Sequence, residues 1–319
     1  METGLIFHND LDGLYSAKLI VNSEYNISDA YAVDYGKDYS HILTQCDSFI
    51  SVDFAENIAG EKTELFVDHH LRSERASGAK NEIIKKAPSC VDILIKENLV
   101  DKTLITKEVC KHINTVDSAD FRNKFNDSFT PVDVIFPDIN TELGRYLALN
   151  DLLRKNRKTN LSILLLMEET FDVSTLLYFI EKNHNMLNFK KYMQHKVSFF
   201  EKFEKNVNKY VKHFSNVPVL FTRYFSQIDW KGYDKNIFNY YYSENLYTML
   251  VFEMNNKIHV QLQKNPFCIN DNNISLYDII KEQIETPRGH ENILNFTFKN
   301  INEATTEMNN IIQAISKNI

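Results

Sequence analysis

The sequence predicts an α/β protein with an N-terminal parallel sheet, a long linker helix and a smaller C-terminal α+β domain. Three observations carry this expectation. Short β-branched runs alternate with helix-like stretches over the first third of the chain. Apolar residues then recur in steps of three and four from about residue 142 to 214. Strand signals return at Val217. The corresponding limits are 1–184, 185–215 for the linker helix, and 216–319.

The elements follow in order. "TGLIFH" (3–8) is the first strand, and a helix starts within "GLYSAKLIVN" (13–22), with Gly13 letting the chain turn sharply into it. "DAYAVDYG" (29–36), "DSFISVDFA" (47–55) and "TELFVDHH" (63–70) are the next three strands. "PSCVDILIKENL" (88–99) reads as a helix with Ser89 as its N-cap. In the helical region Phe189, Met193, Val197, Phe200, Phe203, Val207, Tyr210 and Phe214 make one apolar stripe. Lys190, Lys191, Lys196, Lys202, Lys205, Lys209 and Lys212 fall on the other face. That face is either an ordinary solvated surface or a basic wall beside a nucleic-acid groove. Strands follow at "VPVLFTRYF" (217–225), "YTMLVFEM" (247–254) and "KIHVQLQ" (257–263), and helices at "SLYDIIKEQIE" (275–285) and "NEATTEMNNIIQAI" (302–315).

Composition narrows the function. Of the 319 residues, 43% are hydrophobic and 25% charged, the proportions of a soluble globular chain. The longest aliphatic run, "SILLLM", is too short to span a bilayer. The N-terminus carries no basic and apolar signal, so a cytoplasmic protein with no membrane partner is expected. Cys46, Cys90, Cys110 and Cys268 lack CxxC spacing and read as reduced thiols. A net charge of −7 argues against coating long nucleic acid, but leaves room for a local phosphate site.

Ligands of parallel sheets bind beyond the carboxyl ends of the strands. At those ends this chain places "HNDLDG" (8–13), Asp53 and "VDHH" (67–70), and "VDSADFR" (116–122) follows a further apolar stretch. On an extended chain His8, Asp10 and Asp12 converge on one side. Carboxylates held that close repel until a proton or cation intervenes. Imidazole and carboxylate together suit Mn²⁺, Fe²⁺ or Zn²⁺.

In order, "HNDLDG", "VDF" (52–54), "VDHH" and "VDSADFR" resemble the four motifs of the DHH phosphoesterase superfamily. The likeness covers roughly the first 125 residues. The C-terminal region resembles the DHH-associated domain, whose GGGH-type turn binds substrate phosphate. "TPRGHENILNF" (286–296) keeps Gly289 and His290, but Arg288 stands where a glycine is expected, and Ile293 and Leu294 replace small residues. The family's substrate-binding arginine on the preceding strand is replaced by Gln263 and Lys264.

The resemblance implies two Mn²⁺ ions, with Mg²⁺ or another divalent ion as the alternative. His8, Asp10 and Asp53 would hold one. Asp12, Asp53, His69 and Asp117 would hold the other, with Asp53 bridging. Asp53, Asp68 and His70 would serve catalysis, the last contacting the scissile phosphate. Asp68 would orient a ligating histidine or add a further ligand. Asp117 aligns with the fourth motif better than Asp120 and leaves Arg122 near a phosphate. Arg288, Gly289 and His290 would bind substrate, facing the metals. The expected function is a Mn²⁺-dependent phosphodiesterase or exonuclease that cuts short oligonucleotides or small nucleotides to nucleoside monophosphates. A RecJ-like single-strand DNA exonuclease is the alternative. A cyclic dinucleotide phosphodiesterase, a non-catalytic nucleic-acid scaffold and a pyrophosphatase follow. A homodimer is among the assemblies the family allows.

Overall fold

The computed structural model describes residues 2–35, 37–70, 78–121, 124–126, 128–156, 172–183, 186–221, 233–254, 256–268, 274–281, 288–290 and 292–317. The chain divides into two compact units. Met1–His70, Glu74–Asp120 and Pro137–Phe189 make the first, and Phe121–Phe136 with Lys190–Ile319 make most of the second.

In the first unit β1 (Thr3–His8), β2 (Ile27–Val33), β3 (Ser48–Val52), β4 (Thr63–Asp68) and β5 (Asn81–Ile84) form one parallel sheet in the order β2-β1-β3-β4-β5. Leu5, Ile6, Phe7, Phe49, Val52, Phe66 and Val67 are buried, as strands covered on both faces require. Parallel neighbours need crossovers, and α1 (Leu11–Val21) supplies the one from β1 to β2. The chain then reverses its direction of travel, so β3 adds on the other side of β1. Such a reversal leaves a crevice beyond the carboxyl ends of β1 and β3, where open α/β sheets bind ligands.

Helix starts in this unit follow the expected capping chemistry. The Ser89 hydroxyl accepts from the Asp92 N–H at the head of α2 (Cys90–Lys96), as its sequence signature predicts. Thr106 caps α3 (Lys107–Asp117), Thr141 caps α5 (Glu142–Lys155) and Asp172 caps α6 (Val173–Lys182). The short α4 (Pro131–Ile135) belongs to the second unit. β5 has no counterpart in the sequence reading, because "NEII" is a half-exposed strand with no apolar run.

The second unit begins its main run with α7 (Phe189–Tyr210). Its six-stranded sheet holds β6 (Val211–Phe214), β7 (Val217–Phe221), β8 (Tyr247–Met254), β9 (Lys257–Lys264), β10 (Arg288–His290) and β11 (Ile293–Phe298). The order is β10-β11-β9-β8-β7-β6, antiparallel except where β7 meets β8. α8 (Lys235–Tyr241) lies in the β7–β8 crossover, and α9 (Leu276–Ile280) and α10 (Ile301–Ser316) complete the unit. Val219, Met249, Leu262 and Leu294 pack with Met308, Ile311 and Ile312 in its core.

Four expectations here need correction. Residues 211–214 leave the helix and pair with β7 across a two-residue turn, with Ser215 at φ 53°. The buried stripe of α7 is Tyr192, Lys196, Phe199, Phe203, Val207 and Tyr210, whereas Val197 is 45% exposed. Lys196, expected on the solvated face, is buried, with Nζ 2.7 Å from Asp234 Oδ2 and 5.3 Å above the Tyr192 ring. A polarity pattern cannot anticipate a lysine whose counter-charge lies on another helix cap. Finally, "RGH" is not a turn but the strand β10, with Gly289 opposite Leu294. Gly289 has φ 127°, and a Cβ there would lie 2.2 Å from the Ile293 carbonyl oxygen, so only glycine fits. Among the described residues no helix is long and apolar enough to cross a membrane.

Candidate metal centre

The crevice beyond β1 and β3 is lined by the first three motifs and the end of α3. β1 ends at His8, and Asp10 caps α1, accepting from the Gly13 N–H at 3.1 Å. Its other oxygen lies 2.8 Å from His8 Nδ1. Gly13 is helical, in the first turn of α1, and not part of a sharp turn before it. A Cβ there would lie 2.2 Å from the His8 carbonyl oxygen, so the glycine is required by close backbone approach. Asp12 is fully buried. Its carboxylate accepts from the Cys90 N–H at 2.6 Å and the Val91 N–H at 3.0 Å. The first turn of α2 thus holds a charge that begins on α1, as unsatisfied helix N–H groups favour.

Asp53 follows β3 with φ 54°, an uncommon conformation for a residue other than glycine. Its N–H donates to the Val67 carbonyl, and its side chain is buried. Oδ1 lies 3.1 Å from His69 Nε2. Oδ2 lies 3.9 Å from His8 Nδ1 and has no hydrogen-bond partner among the described residues. His69 Nδ1 sits 3.1 Å from the Ala87 carbonyl oxygen, which can only accept, so Nδ1 carries a proton. Nε2 therefore faces three carboxylates: Asp53 at 3.1 Å, Asp117 at 3.2 Å and Asp12 at 3.6 Å. His70 is held differently, with Nδ1 2.7 Å from Oδ1 of the buried Asp68.

The electrostatics show a site short of positive charge. Burial and the neighbouring Asp12, Asp10 and Asp117 carboxylates push the Asp53 pKa well above the usual carboxylate range. Burial raises Asp117 as well, outweighing the pull of His69. Asp12 is also raised by burial, against His69 and the two N–H groups of α2. Burial works the same way on Asp10, but the His8 ring beside it prevails and holds that carboxyl below its usual range. Burial would lower His69, yet Asp117, Asp12 and Asp68 raise it. Three His/Asp sets bring donor atoms within 4.8 Å of one another: His8, Asp10 and Asp53; Asp12, His69 and Asp117; and Asp53, His69 and His70. A hard or borderline divalent cation suits such donors and relieves the charge conflict. The Oδ2 of Asp53, a member of the first set with no hydrogen-bond partner among the described residues, fits that occupant.

The remaining predicted residues belong to none of these three sets. Asp120 is exposed, outside all three sets. Arg122 lies outside the described residues, as do the side chains of Arg288 and His290. Gly289 belongs to the β10–β11 hairpin of the second unit. Gln263 is buried and donates to Asn239 Oδ1 at 2.6 Å and Thr248 Oγ1 at 3.1 Å, while Lys264 Nζ donates to the Ile274 carbonyl at 2.9 Å. Both are committed to internal bonds. Sequence reasoning missed the Ala87 carbonyl, the α2 N–H pair and the ring of Tyr35, 5.2 Å from His8. Only the Ser89 cap signalled that a helix N-terminus was near.

The sequence matches no family model and no curated protein. The structure, however, has solved relatives. It resembles the pGpG-specific phosphodiesterase PggH from Vibrio cholerae, with a TM-score of 0.58 and 17% identity over 99% of both chains. It also resembles RecJ from Thermus thermophilus, solved in complex with Mn²⁺, with a TM-score of 0.51 and 11% identity. That match covers 99% of this chain and 52% of RecJ, so the chain spans about half of RecJ's length. The reversed parallel sheet, the second mixed-sheet unit and the likeness along the whole chain give this protein the α/β fold of these two structures.

Proposed function

We propose that the chain is a Mn²⁺-dependent phosphodiesterase that hydrolyses short linear oligonucleotides, dinucleotides foremost, to nucleoside monophosphates. The observation that carries the reading is His69: Nδ1 is tied to Ala87, and Nε2 faces Asp12, Asp53 and Asp117 within 3.6 Å. A histidine oriented by its far nitrogen towards carboxylates is the arrangement of a metal ligand. His8, Asp10 and Asp53 would hold one ion and Asp12, His69 and Asp117 a second, with Asp53 shared. Bound there, divalent ions supply Lewis acidity towards phosphoryl oxygens and acidify water.

The chain's own groups do the rest. The α2 N–H pair orients Asp12 and favours its ionised form against the effect of burial. Asp68 accepts the Nδ1 proton of His70, leaving Nε2 to meet the substrate phosphate and the charge that develops on it. Arg122, Arg288, Gly289 and His290 are proposed as further substrate contacts on the family resemblance. The dinucleotide preference is supported by PggH, which has nearly the same extent and is pGpG-specific by name. RecJ is about twice as long, and a net charge of −7 suits a short anion better than a long strand.

The test is a substrate panel with Mn²⁺: linear dinucleotides, longer single strands of DNA and RNA, 3′-phosphoadenosine 5′-phosphate, cyclic dinucleotides and pyrophosphate. The dinucleotide is expected to be cut fastest, with release of monophosphates. Faster cutting of the long strand would overturn the substrate reading in favour of the RecJ-like one. Mn²⁺ binding with no turnover of any substrate would overturn the catalytic reading.

A further inference from the structure

One group at the crevice has no part in holding a metal. Tyr35, just past β2, is 39% exposed in a setting where His8, Asp10, Asp53, His69 and His70 are all buried. Its ring is nevertheless fixed. One face stacks on the buried Phe54 ring at 4.6 Å and 25°. Its hydroxyl accepts from the Ala55 N–H at 3.1 Å. The segment before it is tied as well, by the Asp34 N–H donating to the Tyr39 hydroxyl at 2.7 Å. The ring centroid lies 5.2 Å from that of His8 and 6.4 Å from that of His70. An exposed aromatic ring held rigid costs little entropy when a flat ligand lands on it. The flat group that accompanies a phosphodiester is a nucleobase, joined to the phosphate through one ribose, and bases stack on aromatic rings whatever their identity.

We propose that Tyr35, backed by Phe54, is the platform on which a nucleobase of the substrate stacks, beside the phosphate held at the metal centre. The proposal rests on the phosphodiesterase reading for the nature of the substrate, and adds a binding determinant that the motifs do not contain. A Tyr35 that merely shields the metal centre from water would affect every phosphate ligand alike, so a base and its absence must be compared.

The experiment measures binding of a nucleoside 5′-monophosphate and of ribose 5-phosphate by calorimetry with Mn²⁺ present, for the native chain, Tyr35→Phe and Tyr35→Leu. The native chain should bind the nucleotide about tenfold more tightly than the sugar phosphate. Tyr35→Leu should erase that preference and leave ribose 5-phosphate and Mn²⁺ affinities unchanged, while Tyr35→Phe keeps it. Equal affinities in the native chain, which needs no variant to fold, would overturn the proposal. So would equal losses for both ligands in Tyr35→Leu. Failure of the phosphodiesterase reading appears separately, as absent dinucleotide turnover by the native chain.

Discussion

Asp53→Asn separates the stability of the candidate metal site from its chemistry. Asparagine matches aspartate in shape and tolerates the left-handed backbone at φ 54°. The change therefore removes one negative charge and little else. A donor oxygen of Asp53 lies within 4.8 Å of one from Asp10. At an effective dielectric constant of ~20, two such charges repel by about 3 kcal/mol. Repulsion from Asp12 and Asp117 and the burial of the charge add to this, attraction to His69 at 3.1 Å opposes it, and the raised Asp53 pKa gives the sign of the balance; the net relief is of the usual size for one such substitution, about 1–2 kcal/mol. In a unit of this size that raises the melting temperature of the metal-free protein by about 2–8 °C. With Mn²⁺ at a hundred times its Kd, the native chain should gain about 2.7 kcal/mol of stability. The variant, lacking the carboxylate shared by two donor sets, should gain less than half of that, and its turnover of a dinucleotide should fall by about a hundredfold or more. The assays are thermal melts in EDTA and in Mn²⁺, and chromatographic detection of released monophosphates. An Asn variant that melts below the native chain in EDTA, or that keeps both the full Mn²⁺ shift and its turnover, refutes the reasoning.

Two further outcomes are expected. Without metal, His69, Asp12, Asp53 and Asp117 all have raised folded-state pKa values. Each binds its proton more tightly when folded, so stability is lost as pH rises from the ordinary pKa through the raised one. The melting temperature in EDTA should accordingly fall as pH rises above the ordinary values of these groups, 3.8 for the carboxyls and 6.5 for the imidazole, and saturating Mn²⁺ should remove the fall, since ions replace the protons; a metal-free protein that grows more stable as pH rises above 6.5 contradicts the charge balance described. Lys196→Met should destabilise the chain by about 3–5 kcal/mol in a denaturant titration, by leaving the nearly buried Asp234 carboxylate without its ammonium. Adding Asp234→Asn, which can still cap α8 through its side-chain oxygen, should restore most of the loss, and a double variant no better than the single one would mean that the pair is not what matters.

Much of the fold was legible because its signals are short-range. β1 and β8 have the limits that their apolar runs suggest, and Ser89 caps α2 as its position before the helix implies. Where the reading failed, a distant partner had overridden the local pattern. "VKHF" continues a helical period but pairs with β7 instead. α7 is turned so that Lys196 is buried against Asp234 and Val197 is left outside. "NEII" becomes a strand only because β4 offers it an edge.

The candidate site divides in the same way. By itself the sequence placed His8, Asp10, Asp12, Asp53, Asp68, His69 and His70 at the ends of strands, because strand alternation and the close of an apolar run are written in adjacent residues. Only the tertiary structure decided that the strand order reverses between β1 and β3, bringing His8 and Asp53 to the same crevice. It also decided that Asp117 enters the cluster while Asp120 does not, that Ala87 fixes His69, and that α2 holds Asp12. These depend on hydrogen bonds and packing between segments up to 79 residues apart, and no local pattern encodes which distant backbone group will meet a given side chain.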